Sequence, residues 1–153
     1  MTTNIERLIR ATIIHMRQIG PYGQKNQQLM TDFKNILRSQ QLMTTNSILL
    51  GIPLDDPQLT LPVNCRYDVG LIVPATFDLS PLPEIIQKRT LASGNYASFQ
   101  VPHTPEGLMA IWADFPTKLK NEGLILDLSR PIIERYASQL IFQHQCELLV
   151  PIH

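Results

Sequence analysis

An α+β fold made of two tandem βαββ repeats is predicted by three features of this 153-residue chain. The order strand, turn, helix, strand, strand occurs twice, once on each side of a proline-rich stretch at residues 74–83. Asp32, Phe33, Leu37 and Leu42 recur at the same spacing as Asp114, Phe115, Leu119 and Leu124, as an internal duplication requires. Between Arg66 and Val73, the apolar residues Tyr67, Val69, Leu71 and Val73 alternate with Arg66, Asp68 and Gly70. That period of two predicts a strand with one buried face.

The elements follow in order. A first strand over residues 10–18 runs into Gly20, Pro21, Tyr22 and Gly23, a cluster of turn formers. Within residues 24–41, Leu29, Met30, Phe33, Ile36 and Leu37 recur at spacings of three and four, which predicts a helix with one apolar face. Residues 46–53 form a short apolar strand, and Leu54, Asp55, Asp56 and Pro57 form a loop. The alternating strand comes next. Pro74, Pro81 and Pro83 then exclude helix and central strand, so residues 74–83 connect the halves.

The second half opens with a strand over residues 85–101, bent near Gly94. Thr104 suits the N-cap of the following helix, Pro105 its first position and Gly123 its C-terminal stop. Leu108, Met109, Ile111, Trp112, Phe115 and Leu119 make an apolar stripe, while Pro116 predicts a kink or break after Phe115. Strands over residues 131–136 and 144–152 close the chain. The first repeat therefore spans about residues 8–75 and the second about 84–152 of a single domain.

Composition narrows the function classes. A chain that is 44% hydrophobic can bury a substantial core. Thirteen basic residues balance thirteen acidic ones, so direct nucleic-acid binding is not expected. No run approaches the roughly 20 apolar residues of a membrane span, and residues 1–10 lack the apolar core of a secretion signal. A cytoplasmic, non-membrane protein is expected. Cys65 and Cys146 read as buried free thiols. His15, His103, His144 and His153 lack metal-ligand spacing, and no Gly-x-Ser-x-Gly or phosphate-cradling glycine loop is present. No metal or cofactor is expected.

Glu134 is the most informative residue. It lies in a short apolar strand, on the same face as Ile132 and Tyr136. Either it is exposed and paired with Arg135 or Arg130, or it is a partly buried carboxylate that a cationic ligand would compensate. Trp112, the single tryptophan, either packs in the core or offers its ring to such a cation, worth about 0.5–2 kcal/mol.

Short motifs in a consistent order carry a family resemblance across nearly the whole chain. In the first half they are Gly20-Pro21-Tyr22, Gly51-Ile52-Pro53, Asp55-Asp56-Pro57 and Cys65-Arg66-Tyr67-Asp68. In the second they are Gly94-Asn95-Tyr96-Ala97, Trp112 and Leu119, the segment Pro131 to Tyr136, and the segment Glu147 to Ile152. In these the chain resembles the gyrase-inhibitory-protein-like (GyrI-like) family, which includes effector-binding domains of multidrug-responsive transcription regulators. The resemblance implies a duplicated SHS2-like βαββ fold with antiparallel sheets, two main helices and a central ligand cleft. It assigns Glu134 as the acidic ligand-binding residue. Trp112, Tyr67, Tyr96, Phe99 and Tyr136 are the candidate aromatic contacts. Tyr96 and Phe99 fall on opposite faces of a regular strand, so at least one of them belongs to the core. Pro116 and the segment from Val101 to Pro105 depart from the family pattern.

Three functions follow from the resemblance. The first is a free-standing effector-type protein that binds hydrophobic, cationic organic compounds, with Glu134 as counter-charge. Cation binding would then weaken once acid neutralises the carboxylate. The second is hydrolysis of reactive cyclopropane-containing natural products in the same pocket, with Glu134 activating water, Tyr67 positioning the substrate and Trp112 stacking on it. The third is a protein partnership, with DNA gyrase or with a separate regulator. Residues 1–9 are too short for a helix-turn-helix unit of the chain's own.

Overall fold

The computed structural model describes residues 3–153; Met1 and Thr2, the start of the segment judged too short for a DNA-binding unit, lie outside the described residues. The elements are β1 (Asn4–Leu8), β2 (Ala11–Ile19), α1 (Gln24–Ser39), β3 (Ile48–Pro53), β4 (Arg66–Val73), β5 (Gln87–Leu91), β6 (Gly94–Pro102), α2 (Pro105–Asn121), β7 (Ile133–Ala137), the single turn α3 (Ser138–Ile141) and β8 (Gln145–Ile152). The strands form one antiparallel sheet in the order β1-β6-β8-β7-β3-β4-β2-β5. This is the expected α+β duplication, with β3 and β7 meeting at its centre.

Each βαββ unit carries one further strand, and these strands are exchanged. β1 pairs with β6 of the second repeat, and β5 pairs with β2 of the first. The expected bent strand over residues 85–101 is in fact β5 and β6, which belong to opposite sides of the sheet. Alternation along a strand reports which face is buried and says nothing about the partner, so the crossover at Ala92 and Ser93 reads from sequence as a bend.

Both helices lie on one face of the sheet. Leu29, Phe33 and Leu37 of α1 and Ile111, Phe115 and Leu119 of α2 are buried at matching positions. Burying a side chain of this kind contributes about 1.5–3 kcal/mol. α1 covers Ile14, Met16, Tyr67, Val69 and Leu71. α2 covers Ala97, Phe99, Leu148, Val150 and Ile152. The helix ends match too. Leu42 N–H donates to the Leu37 carbonyl at 2.8 Å and Leu124 N–H to the Leu119 carbonyl at 2.9 Å, with Gln41 (φ 57°) and Gly123 (φ 68°) in the left-handed region that closes such a turn.

Two further expectations are corrected. α2 runs unbroken through Pro116, which sits on its exposed side while Ile111, Phe115 and Leu119 hold the opposite face to the sheet. Pro116 cannot donate its backbone bond to the preceding turn, and its ring lies on the exposed side of the helix. β4 is buried on both faces, because the side away from the helices faces a third cluster of Ile13, Leu50, Ile52, Tyr96, Ile133 and Leu149. On that side Asp68 is fully buried. It accepts from Arg17 at 2.7 Å and from Arg89 at 2.8 Å, the latter contributed by exchanged strand β5. The counterpart triad joins Arg135 to Glu147 and to Glu6 of exchanged strand β1. The first triad is one acid between two arginines and the second one arginine between two acids; at equivalent positions Glu6 stands where the other has Arg89, while Glu147 and Asp68 are both acids.

Among the described residues, no helix is long and apolar enough to cross a membrane.

Candidate functional site

Glu134 stands on β7 at the centre of the sheet, on the helix-bearing face and directly opposite Gly51 of β3. The register carries a row of side chains across that face. Phe99 lies opposite Leu148, Leu148 opposite Glu134, Glu134 opposite Gly51, Gly51 opposite Val69, and Val69 opposite Met16. Gly51 and Glu134 therefore occupy equivalent places in the two repeats, and the pseudo-twofold axis passes between them. One has no side chain and the other has a carboxylate.

The absence of a side chain at Gly51 is a steric requirement. A Cβ there would overlap the Tyr67 hydroxyl and come within 2.7 Å of Glu134 Oε1. A glycine inside a strand often marks such a close approach. In the sequence Gly51 stands out as part of the Gly51-Ile52-Pro53 motif, and its steric role becomes visible once β3 is paired with β7.

Three side chains converge on the carboxylate. Oε1 accepts from the Tyr67 hydroxyl at 2.9 Å and from the Tyr136 hydroxyl at 3.1 Å, and Oε2 accepts from the indole N–H of Trp112 at 3.0 Å. Tyr67 comes from β4, Tyr136 from β7 and Trp112 from α2, so both repeats contribute. All three donors are neutral. Glu134 is half-buried and, among the described residues, forms no ion pair. Of the two alternatives for Glu134, the pairing with Arg135 or Arg130 does not occur. Strand alternation sends Arg135 to the other face, and Arg130 binds Asp127 and the carbonyls of Asn95 and Ile152.

The surroundings are aromatic. Tyr22 packs edge-on against Tyr67 with ring centroids 6.1 Å apart, and its hydroxyl is tied to the backbone of Asp55 and Arg66. Its turn-forming neighbours concealed this role. Trp112 meets Phe115 edge-on at 6.0 Å, and exposed His103 lies 5.5 Å from the ring of Tyr136. Burial, followed by the nearby Glu134 charge, pushes the phenols of Tyr67 and Tyr136 well above the ordinary tyrosine range. Both remain protonated donors. The same two influences raise the buried Cys146 thiol to about 11.

Of the predicted contacts, Tyr67, Tyr136 and Trp112 touch Glu134. Phe99 shares the face but is packed under α2 with Ile111 and Phe115. Tyr96 is a correction: it is buried on the opposite face, beneath the guanidinium of Arg130 at 4.8 Å. Gly94 leaves the space that this guanidinium fills. Odd and even positions of β6 face opposite ways, so Tyr96 and Phe99 could not both reach one cleft.

A half-buried carboxylate capped by neutral donors can accept a cation without displacing a resident one. Rings at this spacing present the faces and edges that large organic groups pack against.

Comparison with known proteins agrees with this architecture. A model of the GyrI-like small molecule binding domain matches residues 1–153. The SPbeta prophage-derived protein YosT of Bacillus subtilis (strain 168), named as a candidate transcriptional regulator, is 40% identical over 154 residues, covering 99% of each chain. Among solved structures, the EcmrR C-terminal domain is similar with a TM-score of 0.69 at 13% identity, over 99% of this chain and 97% of that one. SAV2435, solved bound to tetraphenylphosphonium, has a TM-score of 0.61 at 16% identity, over 100% of this chain and 94% of that one.

Proposed function

The chain belongs to the GyrI-like family of small-molecule-binding domains, and from that premise we propose that it is an effector-type binder of hydrophobic organic cations, with Glu134 as the counter-charge. The observation that carries this is the donor set of Glu134: two phenols and an indole, with no cation among them. A carboxylate removed from water is costly unless a positive charge compensates it. The three neutral donors supply part of that compensation, and a bound cation supplies the rest.

The rings of Trp112, Tyr67 and Tyr136 provide contact area. Cation–π attraction adds about 0.5–2 kcal/mol. A ligand of about 25 non-hydrogen atoms at roughly −0.3 kcal/mol each has a Kd near micromolar. Binding by area and charge rather than by a dense hydrogen-bond pattern gives broad selectivity. The tetraphenylphosphonium seen on SAV2435 is a compound of this class and the natural first probe.

The test is calorimetric titration with tetraphenylphosphonium and with neutral triphenylphosphine oxide. The native protein should prefer the cation, and Glu134→Gln should weaken cation binding at least tenfold while leaving the neutral compound little changed. Equal affinities of the native protein and the Gln variant for the cation would reject the electrostatic role.

A further inference from the structure

We propose that the opposite face of the sheet holds a second small-molecule site, which takes an apolar compound bearing one anionic group. A cavity of about 400 Å³ opens on that face, lined by Leu50, Tyr96, Ile133 and Leu149 and by the arginines Arg10 and Arg135. Small-molecule sites have volumes of about 300–1,000 Å³. Ile133 and Arg135 flank Glu134 in β7, so the two sites lie back to back with one layer of sheet between them. The pseudo-twofold axis runs through both, since Leu50 and Ile133 are equivalents, as are Leu8 and Leu91, which also line the cavity.

Charge determines the class of ligand. Two arginines line the cavity and no acid does. Arg135 is already held by Glu6 and Glu147. Arg10, in the connection from β1 to β2, is exposed and, among the described residues, makes no hydrogen bond or ion pair. An adjoining cavity of about 480 Å³ shares Arg10, Thr12 and Ala75 and adds Lys88 and Arg89, again without an acid. An apolar body would pack against Ile9, Ile72 and Ala92 over the buried floor of Leu50, Ile133 and Leu149, and its anionic group would meet Arg10 at the rim. Among the described residues the unpaired charge at this cavity is the Arg10 guanidinium, whereas the unpaired charge at the other site is the Glu134 carboxylate.

The test uses 8-anilinonaphthalene-1-sulfonate, a fluorescent apolar anion, with intact folding of each variant checked by circular dichroism. We expect saturable binding with one equivalent per chain, undiminished by excess tetraphenylphosphonium. Arg10→Glu should weaken it about fivefold or more, the scale of an exposed ion pair reversed in sign. Ala92→Trp, an exposed change at the cavity wall, should abolish it. Displacement by tetraphenylphosphonium, or unchanged binding in both variants, would overturn the proposal. So would a native dimer that Ala92→Trp converts to monomer in sedimentation, because the face would then belong to a second copy.

Discussion

Gly51 and Glu134 face each other across the central strand pair at equivalent positions of the two repeats, and the emptiness of the first makes room for the second. Duplicated halves would otherwise place like residues against each other at the axis. Here the two positions differ, and a side chain at position 51 would collide with the Tyr67 hydroxyl and with Glu134 Oε1.

Gly51→Ala should therefore damage the site from outside it. The added methyl overlaps the Tyr67 hydroxyl, and overpacking of this kind costs about 1–3 kcal/mol. Urea unfolding should show that loss, and tetraphenylphosphonium titration should show weakened binding. An unchanged affinity would mean that the Tyr67 contact is dispensable.

Trp112→Phe keeps an aromatic ring and removes the donor to Oε2. Leaving one carboxylate oxygen without its donor costs about 1–3 kcal/mol in a buried setting, and less here because Glu134 is half-buried. Cation affinity should fall less than in Trp112→Ala, which removes the ring as well. Equal losses in the two variants would assign the whole effect to the N–H.

Alkaline pH should unfold the protein through Tyr67 and Tyr136. Their folded pKa values lie above the ordinary value of 10.0, so the native state holds protons that the unfolded chain releases. The resulting stability is complete below about pH 10 and declines as pH rises further. Phenolate absorbance from these two residues should appear only with loss of near-ultraviolet circular dichroism. Tyr136→Phe should make the alkaline loss of stability shallower.

Asp68→Asn removes the charge that joins Arg17 to exchanged strand β5 through Arg89. Breaking a buried ion pair costs about 3–5 kcal/mol, and the partial exposure of both arginines reduces this to about 2–3 kcal/mol. Hydrogen exchange should be fastest in β5 of the variant. Uniform acceleration across the sheet would argue against a local clamp.

Gln41→Gly should stabilise the fold by about 0.5–1 kcal/mol. Gln41 adopts a left-handed φ of 57° at the end of α1, where the second repeat uses Gly123. Thermal unfolding would register the gain, and a lower midpoint would show that the glutamine side chain contributes more than its backbone strain.

Much of this was legible in the chain itself. Local rules located both helices, the Thr104 cap, the Gly123 stop and β4, because capping and periodicity act within a few residues. The carboxylate in an apolar strand singled out Glu134, and the family resemblance offered Trp112, Tyr67, Tyr96, Phe99 and Tyr136 as aromatic contacts, of which Trp112, Tyr67 and Tyr136 touch it. Sequence also described Asp68 as lying on an open face, since alternation shows which residues share a side and not whether that side is covered.

The sequence by itself determined the duplicated order of strand, helix, strand and strand, both main helices, and the acid that stands in an apolar strand at position 134, because each follows from neighbours along the chain; β1 and the separation of β5 from β6 were not among them. Only the tertiary structure decided that β1 and β5 change places, that Tyr96 faces away from Glu134, and that Gly51 is the counterpart making room for it. Each of these depends on pairing between residues far apart in the chain, where register and face are set by the fold's packing as a whole rather than by neighbours in sequence.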